Sequence, residues 1–136
     1  MNINVSQAQG RVPVAVLSVE GDLDASNYQD LIAGAQQVYK AGTGHILLDL
    51  TCTSFVSSSG LVAIHSIAML LRGEELPNPE HGWAAIHAVG RKLQPGAQPY
   101  LKLLNPQAKV SRTLEKAGLK EFFEIYTDLS TAVASF

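Results

Sequence analysis

Apolar and polar positions divide the chain into short segments typical of strands and longer segments typical of helices. Residues 3–8 alternate loosely and residues 12–19 are rich in β-branched side chains, which predicts two strands joined as a hairpin. The apolar runs at 46–50 and 101–104 have the length of buried strands. Residues 122–126 predict a shorter strand at an edge of the sheet.

Helices are predicted between these strands. From Asp24 or Ser26 as N-cap, apolar residues at spacings of three and four indicate an amphipathic helix that Gly42 ends. Residues 61–71 are too many, and too rich in Ala, Leu and Met, for a strand. They predict a buried helix that is apolar on almost every side.

Two further helices follow the strand at 101–104. Asn105 as N-cap and Pro106 at the first helical position predict the start of one helix, and Gly118 has the pattern of its left-handed C-cap. Thr127 or Asp128 caps the last helix. Strands alternate with helices after the first hairpin, which indicates an α/β fold in which parallel pairings dominate.

Residues 73–99 are the least regular part of the chain and contain four prolines. Apolar residues spaced by three and four from Trp83 onward predict a short helix inserted here. This helix is expected to cover the outer side of the helix at 61–71. If Trp83 is exposed instead, it becomes a candidate anchor for a partner protein. Residues 1–136 are otherwise expected to form one domain.

Composition and charge exclude several classes of protein. The net charge is −2 and the ten Lys and Arg residues form no basic block, so direct binding of nucleic acid is not expected. The longest apolar segment is shorter than the roughly 20 residues of a membrane-spanning helix. Cys52 is the only cysteine, and the N-terminus lacks the pattern of a signal peptide, so a cytoplasmic location is expected.

Three consecutive serines, Ser57, Ser58 and Ser59, lie where the buried strand gives way to the apolar helix. Serine is a preferred N-cap because its oxygen accepts an otherwise unpaired backbone N–H. The N-terminus of a helix also favours an anion, and phosphorylation would add about two negative charges there. The serines are therefore either caps alone or caps beside a phosphorylation site.

Three landmarks in the right order resemble the STAS domain, the fold of bacterial anti-sigma factor antagonists. Residues 17–24 resemble the family's strand and its Gly-x-Leu-Asp turn. Residues 46–50, followed by 55–61, resemble its most specific motif, and residues 104–119 resemble its C-terminal part. The resemblance implies a STAS fold, with a mixed sheet of four to five strands, about four helices, and the segment 73–99 as an inserted helical segment.

The resemblance also implies site residues. The family motif usually reads Phe-x-Asp-Ser-Ser-Gly-Leu, and its first serine, which a partner kinase phosphorylates, corresponds to Ser58. Ser57 replaces the usual aspartate and is the alternative acceptor. The residues implied to bind the partner are Asp22, Asp24, Ser57, Ser59, Gly60 and Leu61.

The implied function is a switch based on protein interaction. Unphosphorylated family members bind an anti-sigma factor, often itself the serine kinase, and so release a sigma factor. Phosphorylated members dissociate, and a phosphatase resets them. Neither cofactor nor metal is expected, and a weak homodimer is left open. One alternative is a STAS scaffold of a stress-signalling or transporter complex that is not phosphorylated. Another is a sensor of small molecules or nucleotides, but the sequence contains no Gly-rich phosphate loop.

Catalysis is not expected. A Gly-x-Ser-x-Gly elbow is absent around Ser58, and His65, seven residues later, would lie about 10 Å away along a helix. His45, His81 and His87 do not combine with His65 in a spacing typical of metal ligands. The four histidines are interpreted as surface or packing residues.

Overall fold

The computed structural model of the chain describes residues 2–71, 100–120 and 123–136. The predicted insert at 73–99, including Trp83, lies outside the described residues. The elements in chain order are β1 (Asn2–Gln9), β2 (Pro13–Leu23), α1 (Tyr28–Lys40), β3 (Ile46–Asp49), β4 (Thr53–Val56), α2 (Ser58–Leu71), β5 (Leu101–Leu104), α3 (Ala108–Lys116), β6 (Ile125–Tyr126) and α4 (Leu129–Ala134).

The strands form one mixed sheet in the order β1-β2-β3-β5-β6, and β4 pairs with β2 off this path. β1 and β2 are antiparallel, as the predicted hairpin requires, and the other pairs are parallel. The α/β fold is therefore confirmed. The sheet has six strands because β4 forms where the hydroxyl-rich sequence predicted only a loop. Thr53 holds β4 against β2, because its buried hydroxyl donates to the Val19 carbonyl at 2.8 Å.

β2 continues as far as Leu23, into the segment where the resemblance implies a Gly-x-Leu-Asp turn. Gly21 has a φ of 95°, in the left-handed region that favours glycine, and the register between β2 and β4 shifts between Gly21 and Asp22. This irregularity is a bulge within the strand. It allows β2 to pair first with β3 and then with β4 along the same edge.

The main hydrophobic core lies between one face of the sheet and the helices. Leu17, Leu48 and Leu103, on β2, β3 and β5, are fully buried there together with Ile64 of α2 and Leu31 of α1. α2 is buried on almost every side, as its sequence predicts, and α1 packs against it. Each such side chain contributes about 1.5–3 kcal/mol through burial.

The opposite face of the sheet has a smaller core under α4. Leu47 and Leu104 of the sheet pack with Ala132 and Val133 of that helix. Lys102 points to this same face and is only 5% exposed. Its ammonium group reaches Ser135 at the end of α4 and Glu124, the residue before β6, so a charged residue helps to hold the C-terminal segment on the sheet.

Helix boundaries confirm some predicted caps and correct others. Asp128 caps α4 by accepting the Thr131 N–H at 2.9 Å, and Gly118 follows α3 with a φ of 75°. The predicted start of α3 at Asn105 is wrong: Asn105 has a φ of 50°, and Gln107 is the N-cap.

The predicted N-cap of α1 is also wrong. Asn27, not Asp24 or Ser26, is the N-cap of this helix. The Asp24 carbonyl accepts the N–H groups of Asn27 and Tyr28, at 3.2 and 2.9 Å. Asp24 therefore begins a turn that precedes the regular helix.

Candidate functional site

Ser57 connects β4 to α2 and caps the helix. Its N–H donates to the Leu23 carbonyl at 2.9 Å, which ties the loop to the end of β2. Its Oγ accepts the Gly60 N–H at 3.3 Å, and its carbonyl accepts the Leu61 N–H at 3.0 Å. The prediction that a serine caps this helix is confirmed, and Ser57 is the residue that does so.

Ser58 and Ser59 form the first turn of α2 and are both half-buried. Neither hydroxyl makes a hydrogen bond to any residue that the structure describes. The first turn contains no acidic side chain, so no fixed negative charge on the helix occupies its N-terminal end. Of the three serine hydroxyls, the one on Ser57 is committed to capping and the other two are not.

Gly60 allows α2 to approach the sheet closely. A Cβ at this position would lie 2.8 Å from the Leu23 carbonyl oxygen and 2.8 Å from Cγ1 of Val56. Leu61, the next residue, is only 1% exposed and belongs to the main core. Both residues therefore lie beneath the surface formed by the serines, where they set the position of the helix.

The structure brings the two aspartates of the predicted site beside the serines. Asp22 pairs with Phe55 across β2 and β4, and Leu23 pairs with Val56, the last residue before the serines. Asp22 is exposed and Asp24 is half-buried. Asp22, Asp24 and the serine loop thus share one edge of the sheet, although they are more than thirty positions apart in the sequence.

Hydrogen bonds order the loop that carries Asp24. Its carboxylate accepts the Ser26 hydroxyl at 2.6 Å and the Ser26 N–H at 2.9 Å, and these bonds lower the pKa of Asp24. The Asn27 side chain accepts the Asp24 N–H and donates to the Asp22 carbonyl. Asp24 is therefore a charged residue within an ordered turn.

The sequence does not predict the contribution of β4 and α3 to this surface. Phe55 is 38% exposed, and Nζ of Lys109 lies 5.2 Å from the centre of its ring. The Gln107 side chain donates to the Thr51 carbonyl at 2.9 Å, which holds the start of α3 beside the loop before β4. Topology is the feature that could have indicated this contribution, because the carboxyl ends of parallel strands lie at one edge of a sheet and bring the residues that follow them together.

His65 lies in α2 away from these polar groups. It is fully buried, and neither ring nitrogen has a hydrogen-bond partner in the part of the chain that the structure describes. Its ring lies 6.3 Å from that of Phe123, and burial lowers its pKa to about 4. His65 is therefore a neutral packing residue near pH 7, and no hydrogen bond connects it to Ser58.

Comparison of the chain with protein families identifies a STAS domain at residues 5–75, just over half of the 136 residues. No curated protein sequence matches the chain. Among the described helices, none has the length and apolar character needed to cross a membrane.

Several solved structures have a similar fold. An anti-sigma factor antagonist from Mycobacterium paratuberculosis is 19% identical, with a TM-score of 0.64 over 98% of this chain and 92% of that one. A putative anti-sigma factor antagonist from Thermotoga maritima is 18% identical, with a TM-score of 0.61 over 96% and 90%. Phosphorylated SpoIIAA from Bacillus is 15% identical, with a TM-score of 0.60 over 96% of each chain. The family match and the shared fold together show that the chain belongs to the STAS domain family.

Proposed function

We propose that the chain is an anti-sigma factor antagonist whose binding is switched by phosphorylation of Ser58. In its unphosphorylated form it binds an anti-sigma factor that is also a serine kinase, and a sigma factor is thereby released. The observation that carries this proposal is the arrangement of the serine loop. Ser57 caps α2, while the hydroxyl of Ser58 makes no hydrogen bond to the described residues.

The same arrangement favours Ser58 over Ser57 as the acceptor. A kinase must reach a hydroxyl and use its oxygen as a nucleophile. The Ser57 oxygen already accepts the Gly60 N–H, and the Ser57 backbone is bonded to Leu23. Modification of Ser57 would disturb a cap worth about 0.5–2 kcal/mol, whereas modification of Ser58 would leave that cap in place.

The charge at this edge explains how phosphorylation would cause release. Asp22 and Asp24 already lie beside the serine loop. A phosphate would add about two further negative charges and three acceptor oxygens to the same surface. Burying such a group against a partner costs several kcal/mol unless the partner supplies a cation. The unphosphorylated surface is therefore the one that binds.

The proposed contact surface consists of Asp22, Asp24, Ser58 and Ser59, with Ser57, Gly60 and Leu61 supporting it from below. The proposed partners are the anti-sigma factor and kinase, and a phosphatase that restores the binding form. The chain acts in this scheme as a regulatory protein of the cytoplasm, without chemistry of its own.

Phosphosite mapping by mass spectrometry tests the switch. The protein is isolated from its native cells during growth and after stress, together with the variants Ser57→Ala, Ser58→Ala and Ser59→Ala. We expect partial phosphorylation that changes with conditions and disappears only in Ser58→Ala. Phosphate retained in Ser58→Ala and absent from Ser57→Ala would move the acceptor to Ser57.

A binding measurement tests the consequence. The protein is prepared with phosphoserine incorporated at position 58 during translation, and its partner is identified by cross-linking in native cells. Isothermal titration should show at least a tenfold loss of affinity relative to the unmodified chain, which corresponds to about 1.4 kcal/mol. Phosphoserine installed at position 130, an exposed residue of α4 on the opposite face of the sheet, is the matched control for added charge. Equal affinity of the phosphorylated and unmodified forms would contradict the switch.

A second candidate function rests on Ser57 itself. Serine stands where the family usually has aspartate, and in this chain it acts as the N-cap. A STAS scaffold that is never phosphorylated would need the serines for capping alone. Absence of phosphate under every condition, combined with stable binding to a larger complex, would favour this scaffold.

A further inference from the structure

The outer edge of β1 has no strand partner among the described residues. β1 is the terminal strand of the sheet, and all eight of its residues pair in continuous register with β2 on the inner side. A terminal strand presents a row of backbone N–H and C=O groups that are free to pair with another strand. The outer edge of β1 therefore offers about 27 Å of pairing surface that no described strand occupies.

β1 lacks the features that usually prevent such pairing. Its sequence, Asn-Ile-Asn-Val-Ser-Gln-Ala-Gln, contains no charged residue and no proline, and its register with β2 shows no bulge. Natural edge strands are commonly protected by lysine, proline, bulges or short length. The opposite edge of the sheet follows this rule, since β6 has only two residues.

The exposed side chains of β1 suit a second copy of the same strand. Six of its eight residues are exposed, and Val5 is the largest exposed apolar side chain among them, at 52%. Two copies of an uncharged strand meet without charge repulsion, whereas a charged partner strand would find no complementary charge here. Placing one Val5 beside another would cover the apolar surface that each exposes.

We propose that two copies of this chain associate through β1, antiparallel, about a twofold axis that passes through Val5. The sheets of the two copies then form one continuous sheet. The side chains of two residues that pair across the β1 strands lie on the same face of that sheet. Residues that pair must therefore both be odd-numbered or both even-numbered. The pairs are Val5 with Val5, Asn4 with Ser6, Ile3 with Gln7, and Asn2 with Ala8.

The size of this contact predicts a weak dimer. A single strand edge buries less than the roughly 1,200 Å² above which stable interfaces begin. Association is therefore expected to depend on concentration. This proposal concerns a different surface from the serine loop and does not depend on phosphorylation.

Cysteine cross-linking tests the register. Cys52 is exposed and is first replaced by serine. Asn4→Cys and Ser6→Cys variants with different tags are then mixed and oxidised mildly. The proposed register predicts a disulfide between Asn4→Cys of one copy and Ser6→Cys of the other. Each variant alone should cross-link poorly, because identical positions lie about 8 Å apart, beyond the Cα separation that a disulfide spans.

Sedimentation velocity over a range of concentrations tests the interface energetically. Val5→Lys places two like charges opposite each other and should raise the dimer dissociation constant at least tenfold. Gln37→Lys adds the same charge on the exposed side of α1 and should leave the dissociation constant unchanged. A wild-type chain that remains monomeric at millimolar concentration, or equal cross-linking of each cysteine variant alone and in the mixture, would overturn the proposal.

Discussion

Gly60 faces the backbone carbonyl of Leu23 so closely that a Cβ would lie 2.8 Å from its oxygen. Because that oxygen also accepts the Ser57 N–H, helix α2, strand β2 and the serine loop meet at one point. Gly60→Ala should force these elements apart and destabilise the fold by about 1–3 kcal/mol. The free energy of unfolding in urea measures this effect.

Gly34→Ala is the matched control for that substitution. Gly34 lies inside α1, and a Cβ there would meet no atom within 4 Å. Alanine should therefore stabilise this helix by about 0.5–1 kcal/mol. A similar response of the two variants would show that the close approach at Gly60 has no energetic consequence.

The buried ring of His65 should make stability depend on pH. Burial lowers its folded pKa from 6.5 to about 4, so between these values the unfolded chain binds a proton that the folded chain does not. The stabilisation is fully present above pH 6.5 and is lost as the pH falls toward 4, by about 3 kcal/mol in total. Urea denaturation at pH 7.5 and pH 5 should show about 2 kcal/mol of this loss, because pH 5 still lies above the folded pKa.

His65→Leu should remove most of that dependence of stability on pH. Leucine also removes two buried nitrogens without partners among the described residues, so a gain of about 1–3 kcal/mol at pH 7.5 is expected. His45, whose pKa is lowered mainly by burial and further by Lys102, should retain a smaller dependence in the same direction. An unchanged slope between pH 7.5 and 5 in His65→Leu would contradict this assignment.

Lys102 should hold the C-terminal segment on the sheet. Its Nζ lies 2.7 Å from the Glu124 carboxylate, donates to the carbonyl of Ser135 at 2.9 Å, and lies 4.8 Å from the centre of the Phe136 ring. Lys102→Ala should cost about 2–4 kcal/mol, because it removes these bonds and leaves a cavity.

Lys102→Met separates packing from charge in this contact. Methionine keeps most of the buried stem, and Glu124, with 55% of its side chain exposed, can be hydrated once the ion pair is lost. The cost should therefore be about 1 kcal/mol, with faster hydrogen exchange confined to α4. Equal costs for the alanine and methionine variants would show that the polar contacts dominate.

Alanine should change the stability of the fold more at Ser57, the N-cap of α2, than at Ser58, the proposed phosphorylation site. Ser57→Ala removes the acceptor of the Gly60 N–H and should cost about 1 kcal/mol, whereas Ser58→Ala should change stability by less than about 0.5 kcal/mol. Ser57→Asp should restore stability, because aspartate is an equally good N-cap. Thermal denaturation monitored by circular dichroism measures the stability of each variant. A larger loss of stability in Ser58→Ala than in Ser57→Ala would contradict this prediction.

The sequence predicts those parts of the fold that depend on local patterns. The β1–β2 hairpin, the buried helix α2, the cap at Asp128 and the glycine after α3 follow from alternation, apolar length and cap preference. The start of α3 does not. The pattern at Asn105 is a good helix start, yet Asn105 and Gln107 bond instead to Thr51, more than fifty residues earlier. A tertiary contact therefore overrides a local preference.

The same distinction applies to the candidate site. The serines and aspartates are found from motifs, and the pairing of β2 with β4 brings them together. The contact between Phe55 and Lys109 cannot be found in this way, because it requires β4, whose hydroxyl-rich sequence resembles a loop. Lys102 is missed for a related reason, since its partners lie more than twenty residues away.

The topology of β2 also has a consequence for folding kinetics. The hairpin with β1 is its only pairing made by residues close in sequence within the described chain, while its pairings with β3 and β4 must wait for α1 to form a crossover. Hairpins form within about 1–10 μs, before parallel strands meet. The hairpin would thus exist briefly with both edges open. During refolding at high concentration, β3 and strands of other molecules then compete to pair with the open edge of β2. Aggregation results when strands of other molecules pair with β2 before β3 does.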